Sequence, residues 1–399
     1  MTTHFVENTK EPTPESQPMS PEETELHAWV TLTLVPGLGP KLTQALLTHF
    51  GSATAAVSAT EAQLLQVPHI GEKTARQFAE TLRTVDAAAE IRRVTEAGVA
   101  VIPRVFDAYP KSLRTLPDAP PVLYMAGDYL PADEKAVAIV GSRSCTGYGR
   151  RMARQIAGGL ARAGYTVVSG LALGIDGEAH QGALEAGGRT LAVLAGGLSK
   201  IYPPEHVELA AAVRGRGALL TEAPMTLAPQ RGMFHSRNRL ISGLATAVVI
   251  IEANTQSGSL ITARHAAEQS RELFVLPANV DSPASAGSLK LLRDGARLIR
   301  DADDLLEDLN GLRPPVVPIA GRQPSLFTEA PPPPPPPPKE APVLEGTAKL
   351  VWELLTEPLH TDEICRRLGK GAAELSGVFL QLEMKKVIRR LPGNMYERR

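Results

Sequence analysis

Between residue 136 and about residue 309 the chain alternates short apolar runs with longer stretches of helical spacing, and few folds satisfy that alternation. The first unit is the most explicit. Ala136 to Val140 is apolar throughout and ends on Gly141; helical spacing then begins near Gly149, with Met152, Ile156 and Leu160 three or four residues apart. A second apolar run, residues 165–168, leads into Ser169-Gly170. An unbroken apolar run suits a strand covered on both faces, so the unit reads as β-α-β with parallel strands. Further strands are predicted at 191–194, 218–221, 247–251 and 273–276, with helices at 205–213, 238–244 and 259–269. The fold class that follows is α/β, a doubly wound parallel sheet, and ligands of such sheets collect at the carboxyl ends of the strands.

Those ends carry three turns of small or cationic residues. Gly141, Ser142 and Arg143 follow the first strand, Gly170 follows the second, and Ser257, Gly258 and Ser259 precede a helix after the strand at 247–251. A backbone without side chains lets a phosphate reach peptide N–H groups at the positive end of a helix, and Arg143 adds a fork of donors. The richest stretch is Arg231-Gly232-Met233-Phe234-His235-Ser236-Arg237-Asn238-Arg239. Arg231, Arg237, Asn238 and Arg239 suit phosphate or sugar, and Phe234, placed just before the expected helix, offers a ring on which a nucleobase can stack. The competing expectation is that Phe234 fills the core and Arg237 pairs with Glu222 or Glu252. Asp176 and His180 stand four apart at a helix start; no nucleophile or metal partner has a matching spacing, and Asp176 reads as a helix cap. Cys145 lies in the first turn, where a helix start can lower a thiol pKa, but a lone cysteine without a clear base reads as bystander structure. Gly141 and Gly147 are too far apart for a dinucleotide fingerprint, and no acidic residue ends the second strand.

The flanks differ in composition. Residues 1–23 are polar, proline-bearing and acidic, which predicts a disordered tail rather than a signal peptide or membrane anchor. Residues 24–86 are helical in pattern and repeat one phrase, Val35-Pro36-Gly37-Leu38-Gly39-Pro40-Lys41 and Val67-Pro68-His69-Ile70-Gly71-Glu72-Lys73. The phrase resembles the turn of SAM-like helix-hairpin-helix modules, where glycine amides bind a DNA phosphate; the alternative is a helical bundle that keeps its turns for packing. Residues 87–131 form a bridge expected to pack on the sheet's edge within a domain of residues 87–310. A linker follows at 311–342, since the run Pro331 to Pro338 is restricted to extended, solvated backbone. Residues 343–399 read as three helices and a two-stranded ribbon, a winged-helix pattern. Two cysteines in different domains, Cys145 and Cys365, exclude a disulfide framework and a structural zinc site and fit a cytoplasmic protein. A formal net charge of −1 excludes a uniformly basic coat, and 4% aromatic content excludes a platform of many stacking rings.

The order GSR, SGLAxGID, a phrase ending in Tyr202-Pro203, TEAP, FxxRNRxISGL and EAxxxSGSLxTA, running from Ala136 to Leu298, closely resembles the DNA-processing protein A (DprA/Smf) family. Pro277-Ala278 departs from the Pro-Gly common there. The resemblance implies a Rossmann-like sheet between a small helical SAM/helix-hairpin-helix-like domain and a winged helix. It implies a non-enzymatic, homodimeric protein that binds single-stranded DNA, protects incoming DNA during natural transformation and loads RecA recombinase, with no metal, cofactor or membrane. The family's pocket residues fall on Ser142, Arg143, Arg231, Phe234, Arg237 and Asn238. The rival is a nucleotide-monophosphate phosphoribohydrolase on a similar sheet, but its PGGxGTxxE motif is missing: Ala195-Gly196-Gly197-Leu198 lacks the glutamate.

Overall fold

The computed structural model describes residues 19–311, 344–355, 358–385, 387–391 and 394–398. The chain divides into two compact units, residues 1–317 and 318–399. In the first, nine strands form one sheet in the order β1-β2-β6-β5-β4-β3-β7-β8-β9. They are β1 (Ala100–Pro103), β2 (Val122–Gly127), β3 (Ala136–Val140), β4 (Thr166–Ser169), β5 (Thr190–Val193), β6 (Ala218–Thr221), β7 (Ala247–Ile250), β8 (Glu272–Val275) and β9 (Arg297–Leu298). From β6 through β9 neighbouring strands are parallel, whereas β1–β2 and β2–β6 pair antiparallel. The bridging segment thus extends one side of the sheet by two antiparallel strands, with β1 at the edge. Chain order reverses about β3: β4, β5 and β6 lie to one side and β7 and β8 to the other, so the loops after β3 and β7 flank the crevice where sheets of this kind bind ligands.

Helices α1 (Pro21–Thr33), α2 (Pro40–Phe50), α3 (Ala53–Val57), α4 (Glu61–Leu64), α5 (Glu72–Thr84) and α6 (Ala87–Glu96) precede the sheet. The expected tail is therefore ordered from its last residues onward, because Ser20 and Glu23 close a reciprocal capping box over α1. These helices do not form a detached bundle. Trp29, Leu32, Val67, Ile70 and Phe78 share a buried cluster with Val122, Tyr124 and Leu219 of the sheet and with Leu194 and Met225 beside it.

The remaining helices are α7 (Lys111–Arg114), α8 (Gly147–Arg162), α9 (Ile175–Glu185), α10 (Val207–Arg216), α11 (Arg231–Leu244), α12 (Ser259–Glu268), α13 (Ala286–Arg293) and α14 (Ala302–Gly311). Alternation along β3 sorts its side chains between the two faces. Val137 and Ile139 pack with Ile156 and Leu160 of α8 and Leu305 of α14; Ala138 and Val140 pack with Leu240 and Leu244 of α11 and Ala263 of α12. The helix predicted at 238–244 begins at Arg231, seven residues earlier, so Phe234 sits inside α11. No proline or helix-breaking pair interrupts 231–238, and Gly232 alone does not stop the helix.

The second unit holds α15 (Gly346–Leu354), α16 (Thr361–Leu368) and α17 (Ala372–Met384) with β10 (Leu359–His360), β11 (Ile388–Leu391) and β12 (Met395–Arg398), a winged-helix arrangement. Phe379 of α17 stacks on Tyr396 of β12 with centroids 4.5 Å apart. The proline-rich linker lies outside the described residues. Among the described residues no helix is long and apolar enough to cross a membrane.

Candidate nucleic-acid interface

The turn after β3 is held from below. Ser142 N–H donates to Glu252 O at 2.7 Å, and Ile175 N–H donates to Ser142 O at 3.2 Å, so the first turn is tied both to the loop after β7 and to the start of α9. Gly141 is required there: a Cβ would stand 2.6 Å from Ile175 Cγ1 and 2.9 Å from Glu252 O. The Glu252 carboxylate, 1% exposed, accepts from Thr146 N–H at 2.8 Å and from Thr146 Oγ1 at 2.6 Å, fixing the start of α8. The chain path leaves Arg143 exposed, with its guanidinium carbon 5.0 Å from the centroid of the Phe234 ring. Tyr202, 48% exposed, also meets Phe234, edge-on with ring centroids 5.8 Å apart.

A cleft of about 660 Å3 opens here, between the turns after β3 and β7 and the first turns of α11. It brings together Gly141, Ser142, Arg143, Arg231, Phe234, Arg237, Asn238, Ser257, Gly258 and Ser259. Gly170 lies in an adjoining slot with Lys200 and Tyr202, and that slot shares Arg143, Phe234 and Arg237 with the cleft. The helix N-terminus at Gly258 carries no side-chain cap, and Asn238 Nδ2 donates to Gly258 O at 3.2 Å, which locks that turn to α11.

The site residues split by burial. Arg237 is 5% exposed and its Nη1 donates to Gly170 O at 2.5 Å and to Val193 O at 2.6 Å. Burial pushes its guanidinium down to about 10, against the opposing charge of Asp176. Asp176, itself 5% exposed, is not the cap of α9: Gly174 occupies that position, with φ +79°. The Asp176 carboxylate turns back toward the amides of Ala172 and Gly170; burial raises its pKa while Arg237 opposes the rise. Arg239 lines neither cleft nor slot. Its Nη2 meets Glu222 Oε2 at 2.5 Å and its Nε meets Asp118 Oδ2 at 3.3 Å, so the glutamate expected opposite Arg237 serves Arg239 instead. Helical spacing explains the exchange, because positions 237 and 239 stand about 200° apart on α11.

The remaining candidates for chemistry are committed elsewhere. His180 is fully buried and its Nδ1 donates to Thr190 Oγ1 at 2.7 Å, since that hydroxyl already donates to Val167 O. Burial raises the Cys145 thiol instead of lowering it. Among the described residues no group of three or more His, Cys, Asp or Glu could hold a metal ion. Two rim residues escaped the sequence reading, Lys200 and Tyr202. The only signal was the Gly-x-x-x-x-Tyr-Pro phrase, whose tyrosine reaches Phe234 only through tertiary folding.

Residues 100–310 match the family model described as DNA recombination-mediator protein A, residues 329–394 match a DprA winged helix domain, and residues 30–84 match a SAM-like helix-hairpin-helix tandem. The chain is 33% identical to Protein Smf of Synechocystis over 391 residues, covering 93% of this chain and 98% of that protein. It is 40% identical to DNA processing protein DprA of Bacillus subtilis over 215 residues, covering 54% and 72% respectively. The X-ray structure of DNA processing protein A from Streptococcus pneumoniae superposes with a TM-score of 0.63 at 28% identity, covering 71% of this chain and 97% of that one.

Proposed function

The chain belongs to the DNA recombination-mediator protein A family, and on that premise we propose that its cleft binds single-stranded DNA with little regard to sequence. The observation that carries this reading is the pairing of Arg143 with Phe234 at the mouth of the cleft. An exposed guanidinium and uncapped turn amides suit a phosphate, while the ring beside them suits an unpaired base; a duplex base already has both faces stacked. Neither group reads base edges, so sequence preference is weak. Ser142, Arg231, Asn238 and the Ser257-Gly258-Ser259 turn belong to the same surface, and Arg237 acts by holding Gly170 in place beneath it.

In this reading the protein is not an enzyme. It shelters incoming DNA in transformation, works as a homodimer, loads RecA recombinase on the bound strand, and acts in the cytoplasm. The test is fluorescence anisotropy with matched single strands and duplexes, run beside a nucleotide-hydrolysis assay. Single strands should bind more tightly, with affinity falling as salt rises. Tighter duplex binding by residues 1–317, the first compact unit, or release of base from a nucleoside monophosphate, would overturn the reading.

A further inference from the structure

Three depressions run into one another along one side of the sheet unit. The cleft shares Arg143, Phe234 and Arg237 with the slot, and the slot shares Leu194, Ala195 and Arg237 with a groove of about 970 Å3. The far bank of that groove is the first hairpin of the helical module, residues 36–43, and its near bank is the side of α11 carrying Gln230, Met233 and Ser236. The two hairpin phrases, alike in sequence, are therefore unlike in place. Residues 67–73 line none of the three depressions.

The first hairpin is equipped for an anion. Gly37 stands at φ +82° and turns the chain into α2, whose Gly39 cap has no side-chain hydrogen bond. Lys41, in the first turn of α2, is exposed and forms no ion pair among the described residues. The corresponding start of α5 carries its own anion, Glu72. A second, independent observation lies on the groove's floor: Arg237 Nε and Arg239 Nη1 have no hydrogen-bond partner, although both residues are more than nine-tenths buried and both line the groove. The floor's carboxylates, Glu222 and Asp118, both face Arg239, one guanidinium against two carboxylates, and Arg237 is the second cation that lines the groove.

We propose that the groove is a second segment of the binding track, in which a single strand leaving Phe234 crosses the side of α11 and sets a phosphate on the first hairpin at Lys41. This inference rests on the single-strand reading of the cleft. It assigns the two hairpins different roles: the first contacts the strand and the second packs against the sheet through Val67 and Ile70.

The full-length protein tests it, with oligothymidylates from about 4 to about 16 nucleotides, the range of site sizes over which one single-strand module is filled. Lys41→Glu should weaken the longest strand on the order of tenfold, lower its salt slope by about one counterion, and leave the shortest unchanged. Lys73→Glu, the same charge reversal on the second hairpin, should show no length dependence, and circular dichroism melts should place both variants with the wild type. If Arg143→Ala weakens binding while Lys41→Glu changes nothing at any length, the track ends at Phe234 and the extension is wrong with the cleft reading intact. Equal losses for Lys41→Glu and Lys73→Glu, or a loss on duplex alone, overturn it as well. A wild-type protein that binds no single strand overturns both readings.

Discussion

Arg143 and Arg237 both line the cleft, one exposed and the other buried, and they divide the site into a rim and a floor. Arg143 is solvent-exposed and rests on Phe234; Arg237 is 5% exposed, with Nη1 bound to two carbonyl oxygens and Asp176 as its counter-charge. Both residues are the kind that binds phosphate, yet only Arg143 holds its guanidinium in solvent, whereas Arg237 has Nη1 committed to carbonyl oxygens. The floor keeps the loop after β4 in an unusual path. Leu171 holds φ +59°, a conformation a leucine adopts only under constraint, and Gly170 leaves the space that the Arg237 guanidinium fills. Burial, more than residue type, decides which guanidinium is open to solvent.

That division predicts different failures for the two arginines. Arg237→Ala should cost about 3–5 kcal/mol of stability, because it leaves Asp176 buried without its counter-charge and frees two carbonyls. Urea denaturation reads this directly. Arg237→Lys should recover only part, since one ammonium cannot reproduce the planar fork. An Arg237→Ala protein that melts with the wild type and merely binds DNA poorly would move Arg237 from the floor to the rim.

Arg143→Ala should leave the melt unchanged and weaken single-strand binding by about 1.5–3 kcal/mol, with the salt slope reduced by about one counterion. Unchanged affinity and slope would remove the first turn from the phosphate site. Phe234→Ala should cost about 1–3 kcal/mol of binding through lost stacking and keep the slope. Because Arg143 sits on the Phe234 ring, the two losses should not add, and a double-mutant cycle measures the coupling. If Phe234→Ala chiefly lowers the melting temperature, its ring belongs to the core.

The parallel sheet and its glycine turns were legible because their signals are local: unbroken apolar runs, helical spacing, and small residues at strand ends. The turns after β3 and β7 that flank the cleft, and the Gly170 turn of the adjoining slot, follow from the same reading. What stayed hidden depends on tertiary direction. Arg237 and Arg239 look interchangeable along the chain, and only the orientation of α11 sends one under Gly170 and the other to Glu222 and Asp118. Phe234 falls ahead of the helix expected at 238–244, whereas α11 begins at Arg231 and contains it. Tyr202 lies 32 positions from Phe234, beyond any spacing rule. The helical module is legible as an N-terminal domain, but not the way its apolar residues complete a core begun by β2 and β6. The two hairpin phrases gave no hint of their different surroundings for the same reason.

The smallest effect concerns acid, and it separates floor from rim without touching the ligand. His180 lies beside Thr190 and near Arg237 and His206, and burial, with the neighbouring His206 and Arg237 adding to it, holds its imidazole down at about 3. In the unfolded chain the ring takes up a proton below its ordinary value of about 6.5, whereas the native ring stays neutral until about 3. A depressed pKa therefore contributes stability that is complete above about pH 6.5 and is lost progressively as pH falls toward 3. Between about pH 7.5 and pH 5.5 the loss should be about 1.3 kcal/mol, and His180→Gln should flatten that part of the profile while being less stable at neutral pH. Rim variants such as Arg143→Ala should keep the wild-type acid profile, since they do not touch the buried imidazole. A wild-type melting temperature that is level from about pH 7.5 to 5.5 would mean that the native ring protonates as readily as the unfolded one, and that the floor is more open to water than Asp176, His180 and Arg237 indicate.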